Sequence, residues 1–202
     1  MNPLVQGWST AHQVSQALPT WGTQPSVPQP SIYGALPYFT PEPIDPFVTY
    51  TFVSFGATVL NSALLGADNR TRFLIITDDS ASTLERTTVE DPDRGRVALI
   101  TWGKQPSIAI DELGWTMRTS QWLYLSSNHA CRTMIVSGEK FSWRPNGGFI
   151  ELFSLEGSDA LARISQGAAG VVLQVAPKAI QKRLLKVIVT STVLLMSGRK
   201  ID

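Results

Sequence analysis

The sequence holds a single cysteine, Cys131, in 202 residues. That excludes an internal disulfide framework and any zinc site built on several cysteines. It also has little net charge, +1 at pH 7. A nucleic-acid binder working by bulk charge needs a strongly basic face, so that class is excluded. The opening "MNPLVQGWSTAHQV" lacks a basic n-region, a long apolar run and arginines. Neither a secretory signal nor a transit peptide reads that way, so the expectation is an intracellular protein. No glycine-rich phosphate loop, nucleophile elbow or dinucleotide fingerprint occurs. A non-enzymatic protein without a cofactor is therefore expected. The alternative class is an enzyme whose site is assembled from scattered strand-end residues.

Residues 1–46 contain no lysine or arginine but hold nine of the 13 prolines. Proline breaks helices and removes sheet donors, so this segment predicts a disordered, partly polyproline arm. Its docking candidates are Trp21, the PxxP prolines Pro25 and Pro28, and Tyr33. Aromatics beside a PxxP suit anchoring on a protein partner.

From Phe47 the pattern becomes short apolar or alternating runs separated by turn residues. They are 47–55, 58–65, 70–77, 83–90, 96–102, "SIAID", "QWLYL", "CRTMIVS", "KFSWR", "FIELFSL", "ALARIS" and "GVVLQV". About twelve strands at that spacing predict an all-β sandwich or barrel over residues 47–202. Ser137-Gly138 and Gly147-Gly148 sit where hairpin turns belong.

The run "KVIVTSTVLLMSGRK" (186–200) is apolar in its middle and basic at both ends. Pro177 and Gly198 mark the start and stop of a helix over about 178–197. Its middle is apolar all round, which means burial in protein or in lipid. The charge-free stretch, Val187 to Gly198, is twelve residues. That spans about 18 Å against a hydrocarbon core of about 30 Å. A buried core helix is expected, not an integral membrane span. The alternatives are a C-terminal membrane anchor and, given the β-branched residues, a thirteenth strand.

Lys178, Lys182 and Lys186 recur every four residues, and Arg183 joins them. No acid lies between Asp159 and Asp202. The four cations are the candidate contact for anionic phospholipid, each contributing about 1 kcal/mol near such a surface. Their ordinary reading is a solvated first turn. His129 and Cys131 do not amount to a metal or nucleophile site. They read as a turn histidine and a buried cysteine. The acids of "VEDPDRG" lack the later glutamate of a calcium loop and read as a turn.

The motifs "TLER" (83–86), "VALITW" (97–102), "FSWR" (141–144), "ALARI" (160–164) and "KVIVTSTVLL" (186–195) resemble, in order and spacing, a fungal family of unknown function. That family in turn resembles the tubby C-terminal superfamily, with phospholipid scramblases and LURP-one-related proteins. The resemblance implies a closed antiparallel twelve-stranded barrel around one hydrophobic C-terminal helix. It implies a fold rather than a function. The resulting expectation is a module that binds a protein partner or an anionic membrane surface.

Overall fold

The computed structural model describes residues 47–54, 58–78, 84–167 and 170–202. Trp21, Pro25, Pro28 and Tyr33, with the rest of the expected arm, lie outside the described residues.

Among the described residues, thirteen strands form one antiparallel sheet. In chain order they are β1 (Val48–Ser54), β2 (Ser62–Leu65), β3 (Thr71–Asp78), β4 (Arg86–Asp91), β5 (Gly95–Thr101), β6 (Ser107–Ile110) and β7 (Trp115–Arg118). After helix α1 (Thr119–Trp122) come β8 (Tyr124–Leu125), β9 (Arg132–Val136), β10 (Glu139–Asn146), β11 (Phe149–Ser154), β12 (Ala160–Gly167) and β13 (Gly170–Val175). Helices α2 (Pro177–Gln181) and α3 (Leu185–Met196) follow.

The ladder runs β7-β6-β5-β4-β3-β2-β1-β13-β12-β11-β10-β9-β8. The chain thus starts mid-sheet, meanders out to one edge, crosses through α1 and meanders back. A flat sheet would hold β7 and β8 twelve spacings apart, about 58 Å. The connection from Arg118 to Tyr124 reaches about 21 Å when fully extended. The sheet therefore curls. Yet β7 and β8 are the ends of the hydrogen-bonded order and do not pair with each other. This corrects the expected closed barrel: the ladder is open at one seam, which a single helical turn bridges.

Two strand assignments also change. Residues 121 and 122 of "QWLYL" belong to α1, and only Tyr124–Leu125 is strand. The thirteenth strand is β7, a four-residue edge with no buried residue. Its alternation is too short and too polar to stand out. The Ser137-Gly138 hairpin has both residues at positive φ, 51° and 83°. That is the backbone whose twist matches a tight two-residue hairpin.

Helix α3 fills the inside of the curl. The six residues from Ile188 to Val193 are all 0% exposed. At 100° per residue they cover every side of the helix, so it is enclosed. Six β-branched residues favour a strand locally. An interior strand away from the ladder would leave its amides and carbonyls unpaired, whereas a helix satisfies its own. The hydroxyls are absorbed the same way. Thr190 and Thr192 donate to the carbonyls of Lys186 and Ile188, each at 2.8 Å. Ser191 donates to Ile188 O at 3.0 Å and accepts from the buried Trp143 Nε1 at 3.1 Å. Among the described residues, no helix is long and apolar enough to cross a membrane.

The expected single helix over 178–197 is two helices. The break is a complete C-terminal capping motif. Arg183 N–H donates to Ile180 O at 2.9 Å, and Leu184 N–H to Ala179 O at 3.0 Å. Leu184 and Ala179 are both buried, supplying the apolar contact that accompanies such caps. The motif demands a left-handed residue after the cap, and Arg183 sits there at φ 60°. Glycine is the usual occupant, and a side chain there costs about 1–2 kcal/mol. Arg183→Gly is expected to raise stability by about 0.5–1 kcal/mol, after the greater freedom of glycine in the unfolded chain. A denaturant melt with an unchanged slope and a later midpoint is the check.

Candidate functional site

The break at Arg183 removes the lysines from one helical stripe. Each meets an acid from a different part of the sheet. Lys178 Nζ lies 2.9 Å from Asp159 Oδ2, in the connection between β11 and β12. Lys182 Nζ lies 2.8 Å from Glu139 Oε2, at the start of β10. Lys186 pairs with Glu112, in the 3₁₀ turn Asp111–Leu113 after β6. Arg183 is exposed and forms no ion pair among the described residues. The four cations thus face three carboxylates, and the local excess is one charge. The sequence window 160–201 holds no acid, and these partners arrive only through the tertiary fold. The lysine pairs tie α2, its C-cap and the start of α3 to three separate parts of the sheet. A hollow of about 330 Å³ lies beside them, walled by Ile110, Phe141 and Val187 and edged by Glu112, Glu139 and Lys182.

The larger cavity, about 700 Å³, lies where the β10–β11 hairpin, β12 and the start of α2 meet. A charged row across three strands runs through it, of which Glu151 and Arg163 line the cavity while Arg144, exposed, stands outside the lining. Arg144 of β10 pairs in register with Glu151 of β11, and Glu151 with Arg163 of β12. Strand alternation puts this row on the face opposite the core residues Trp143 and Ala162. Glu151 is nevertheless only 6% exposed. A buried carboxylate needs partners, and it has two. Asn146 Nδ2 donates to Oε2 at 2.6 Å. Arg163 Nε approaches Oε1 at 2.8 Å. That contact is an ion pair with its N–H off the line, so the Nε proton has no aligned acceptor among the described residues.

Both arginines are backed by aromatic rings. The Arg163 guanidinium stands 4.3 Å from the Phe47 ring centroid, and that of Arg144 is 5.5 Å from the Phe153 centroid. Phe47 and Phe153 also line the cavity, with Asp159 and Lys178 among the polar lining. The Lys178 ammonium holds the Asp159 carboxyl below the usual carboxylate range, by hydrogen bond and by charge. Arg144 forms no ion pair among the described residues. The row therefore carries two guanidiniums to one carboxylate.

The motifs "FSWR" and "ALARI" contain these two arginines, and "FIELFSL" contains the acid. Their chemistry is invisible in the sequence, because 12 and 19 residues separate Glu151 from Arg163 and Arg144 from Arg163. Strand register alone makes them neighbours.

Cys131 is half-buried and not fully buried as expected. Hydroxyl groups of Ser142, Ser126 and Thr133 lower its thiol pKa, with Ser142 the largest cause. His129 occupies a turn at φ 58°, its amide donating to Ser126 O at 2.9 Å. Asp91 and Asp93 also form a turn, where Asp91 Oδ1 accepts the Asp93 amide at 3.0 Å. Among the described residues, no three metal-capable side chains converge.

A crystal structure of a protein from Arabidopsis thaliana is similar to this chain, with a TM-score of 0.42 at 9% sequence identity. The likeness covers 74% of this chain and 97% of that one. No curated protein matches the chain. Residues 57–200 match the model of a family of unknown function, DUF6593.

Proposed function

The chain belongs to DUF6593, a family of unknown function, and we propose that this member is a non-enzymatic binding module whose ligand seat is the 700 Å³ cavity. The observation that carries the reading is the Glu151–Arg163 pair lining a hollow of small-molecule size, with Arg144 beside it in register. Cavities of about 300–1,000 Å³ with a few convergent polar groups are the usual form of a ligand site. The polar groups here are spent on holding one another. None is poised as a nucleophile–base pair, which favours binding over turnover.

The test is a small-molecule screen by protein-observed NMR on the full chain. Hits are expected to shift the resonances of Phe47, Phe153 and Arg163 and to be recovered unchanged. Hits that cluster elsewhere would remove the cavity as the seat. Turnover abolished by one substitution in the cavity would make the protein an enzyme.

A second reading keeps Lys178, Lys182, Arg183 and Lys186 as a contact for an anionic membrane surface or an acidic protein partner. Its support is Arg183, exposed and outside the ion pairs. The three lysine pairs are partly exposed, worth about 0–1 kcal/mol each, and exchangeable for phosphate. Phosphatidylserine vesicles should then retain the protein at low salt and lose the Arg183→Glu variant. Equal retention of both would dispose of that contact.

The motif resemblance also carries a proposed fungal origin and a kinship with the tubby C-terminal superfamily. An apolar helix enclosed by antiparallel strands supports the kinship. An intracellular setting is proposed with it, supported by the unpaired Cys131 thiol.

A further inference from the structure

We propose that the cavity takes a small amphiphilic anion: one carboxylate or phosphate monoester head on an apolar body. The inference rests on the reading of this cavity as the ligand seat, and it names the class of ligand. Charge is the first argument. Glu151 is buried and already engaged by Asn146 and Arg163. Within the lining two acids meet two bases, and Arg144, stacked on the lining ring of Phe153, adds at the rim a charge that no carboxylate among the described residues matches. A cationic head would meet this guanidinium excess, with Glu151 buried and only the lysine-paired Asp159 to receive it. An anionic head would complete the alternation of the row, arginine to carboxylate to arginine to ligand.

Geometry is the second argument. Arginine carries five N–H donors in a planar fork, which suits the two oxygens of a carboxylate or phosphate. Glu151 Oε1 approaches Arg163 at its Nε, 2.8 Å away. The rings of Phe47 and Phe153 lie against the guanidiniums of Arg163 and Arg144. Less rotamer freedom is then lost on binding. Lys178 adds a cation at the same wall, and its pair with Asp159 is exposed enough to be exchanged.

The apolar body is the third argument. Phe47, Phe153, Ala160, Ala176 and Pro177 supply most of the remaining wall. A hydrophilic anion would leave these surfaces wetted and gain nothing from them. An anion with an alkyl or aryl body would bury them.

The probes are four ten-carbon compounds below their micelle concentrations: decanoate, decyl phosphate, decanol and decyltrimethylammonium. Binding is measured by calorimetry on the full chain, with acetate and inorganic phosphate as bodiless controls. Decanoate, decyl phosphate or both are expected to bind at least about tenfold tighter than the cation and the alcohol. Which of the two binds tighter separates a carboxylate ligand from a phosphate ligand. Arg144→Gln, at an exposed side chain, should weaken that binding about three- to tenfold without moving the melting temperature. Ala160→Phe should intrude on the apolar wall and weaken binding at least about tenfold in a protein that still melts cooperatively.

Equal binding of cation, alcohol and anion, weakened in Ala160→Phe, would overturn the anion inference and leave the seat in place. The same holds if the bodiless anions bind as well as the ten-carbon ones. No binding by any probe, or binding indifferent to Ala160→Phe, would overturn the inference and the seat together.

Discussion

Val193→Lys is expected to yield no folded protein. Val193 is fully buried in the middle of an enclosed helix. An ammonium there would lose its hydration and meet only apolar neighbours and hydroxyls already bonded to the helix backbone. The effective penalty is several kcal/mol for one unpaired buried ion. Typical stabilities are about 5–15 kcal/mol, so that is a large share of the total. Leu194→Ala is the graded version. Its cavity lies inside a wall of strands that cannot collapse onto it, and the expected loss is about 2–5 kcal/mol. Met196→Lys is the control. Met196 is half-buried near the end of α3, where a lysine stem can lead its charge out to water. Soluble yield and near-ultraviolet circular dichroism of the three variants decide the matter. A Val193→Lys protein that melts sharply would mean that α3 is dispensable to the sheet.

The enclosed helix was legible because two separate signals agreed. Twelve charge-free residues are too few for a bilayer, and apolar character on all sides needs cover. Its division at Arg183 was not legible, since a left-handed arginine carries no composition cue where glycine would have. The strands were readable from alternation where they were long. Edge strands β7 and β8 were misread because four and two residues hold too little alternation to count. The open seam follows from those same two strands: neither is long enough to show, from sequence, whether a partner lies beside it.

The candidate sites divide along the same line. The basic run was visible because its residues are adjacent in the chain. Its neutralisation by Glu112, Glu139 and Asp159 was not, because those acids come from other strands' ends. Arg144 and Arg163 sit in two motifs that resemble the family pattern and Glu151 in the strand between them, yet each stretch alone reads as an ordinary strand. A register prediction for β10, β11 and β12 would have exposed the row, since the three residues share one face.

Removing residues 199–202 is expected to cost about 3–5 kcal/mol, more than a four-residue surface segment ordinarily would. The reason is the open seam. This segment is bonded to parts of the sheet that the ladder leaves unconnected. Arg199 grips Glu85, just before β4, and stands 5.1 Å over the Trp102 ring. The carbonyl of Ile201 accepts from Thr119 Oγ1, in the α1 bridge, at 2.6 Å. Asp202 pairs with Arg132 of β9. The segment thus joins one half of the sheet to the other across α1. Two of the family-like motifs, "TLER" and "VALITW", supply Glu85 and Trp102 to this clasp. Burial of Ile201 contributes about 1.5–3 kcal/mol. The two partly exposed arginine pairs add about 1 kcal/mol each. Ile201→Ala should therefore reproduce roughly half of the truncation, while Lys200→Ala, at an exposed position, should change nothing measurable. The pH dependence has a definite sign. Hydrogen bonding to Arg132 lowers the Asp202 pKa, so its contribution is present above the usual carboxylate pKa of about 4 and fades as the pH falls through the lowered value. The gap between intact and truncated protein should accordingly be widest near neutrality and narrow in acid. Urea melts of both proteins at pH 7 and pH 3 measure it: a gap that stays constant would remove the Asp202 contribution, and one below 1 kcal/mol at pH 7 would show that the seam holds without this segment.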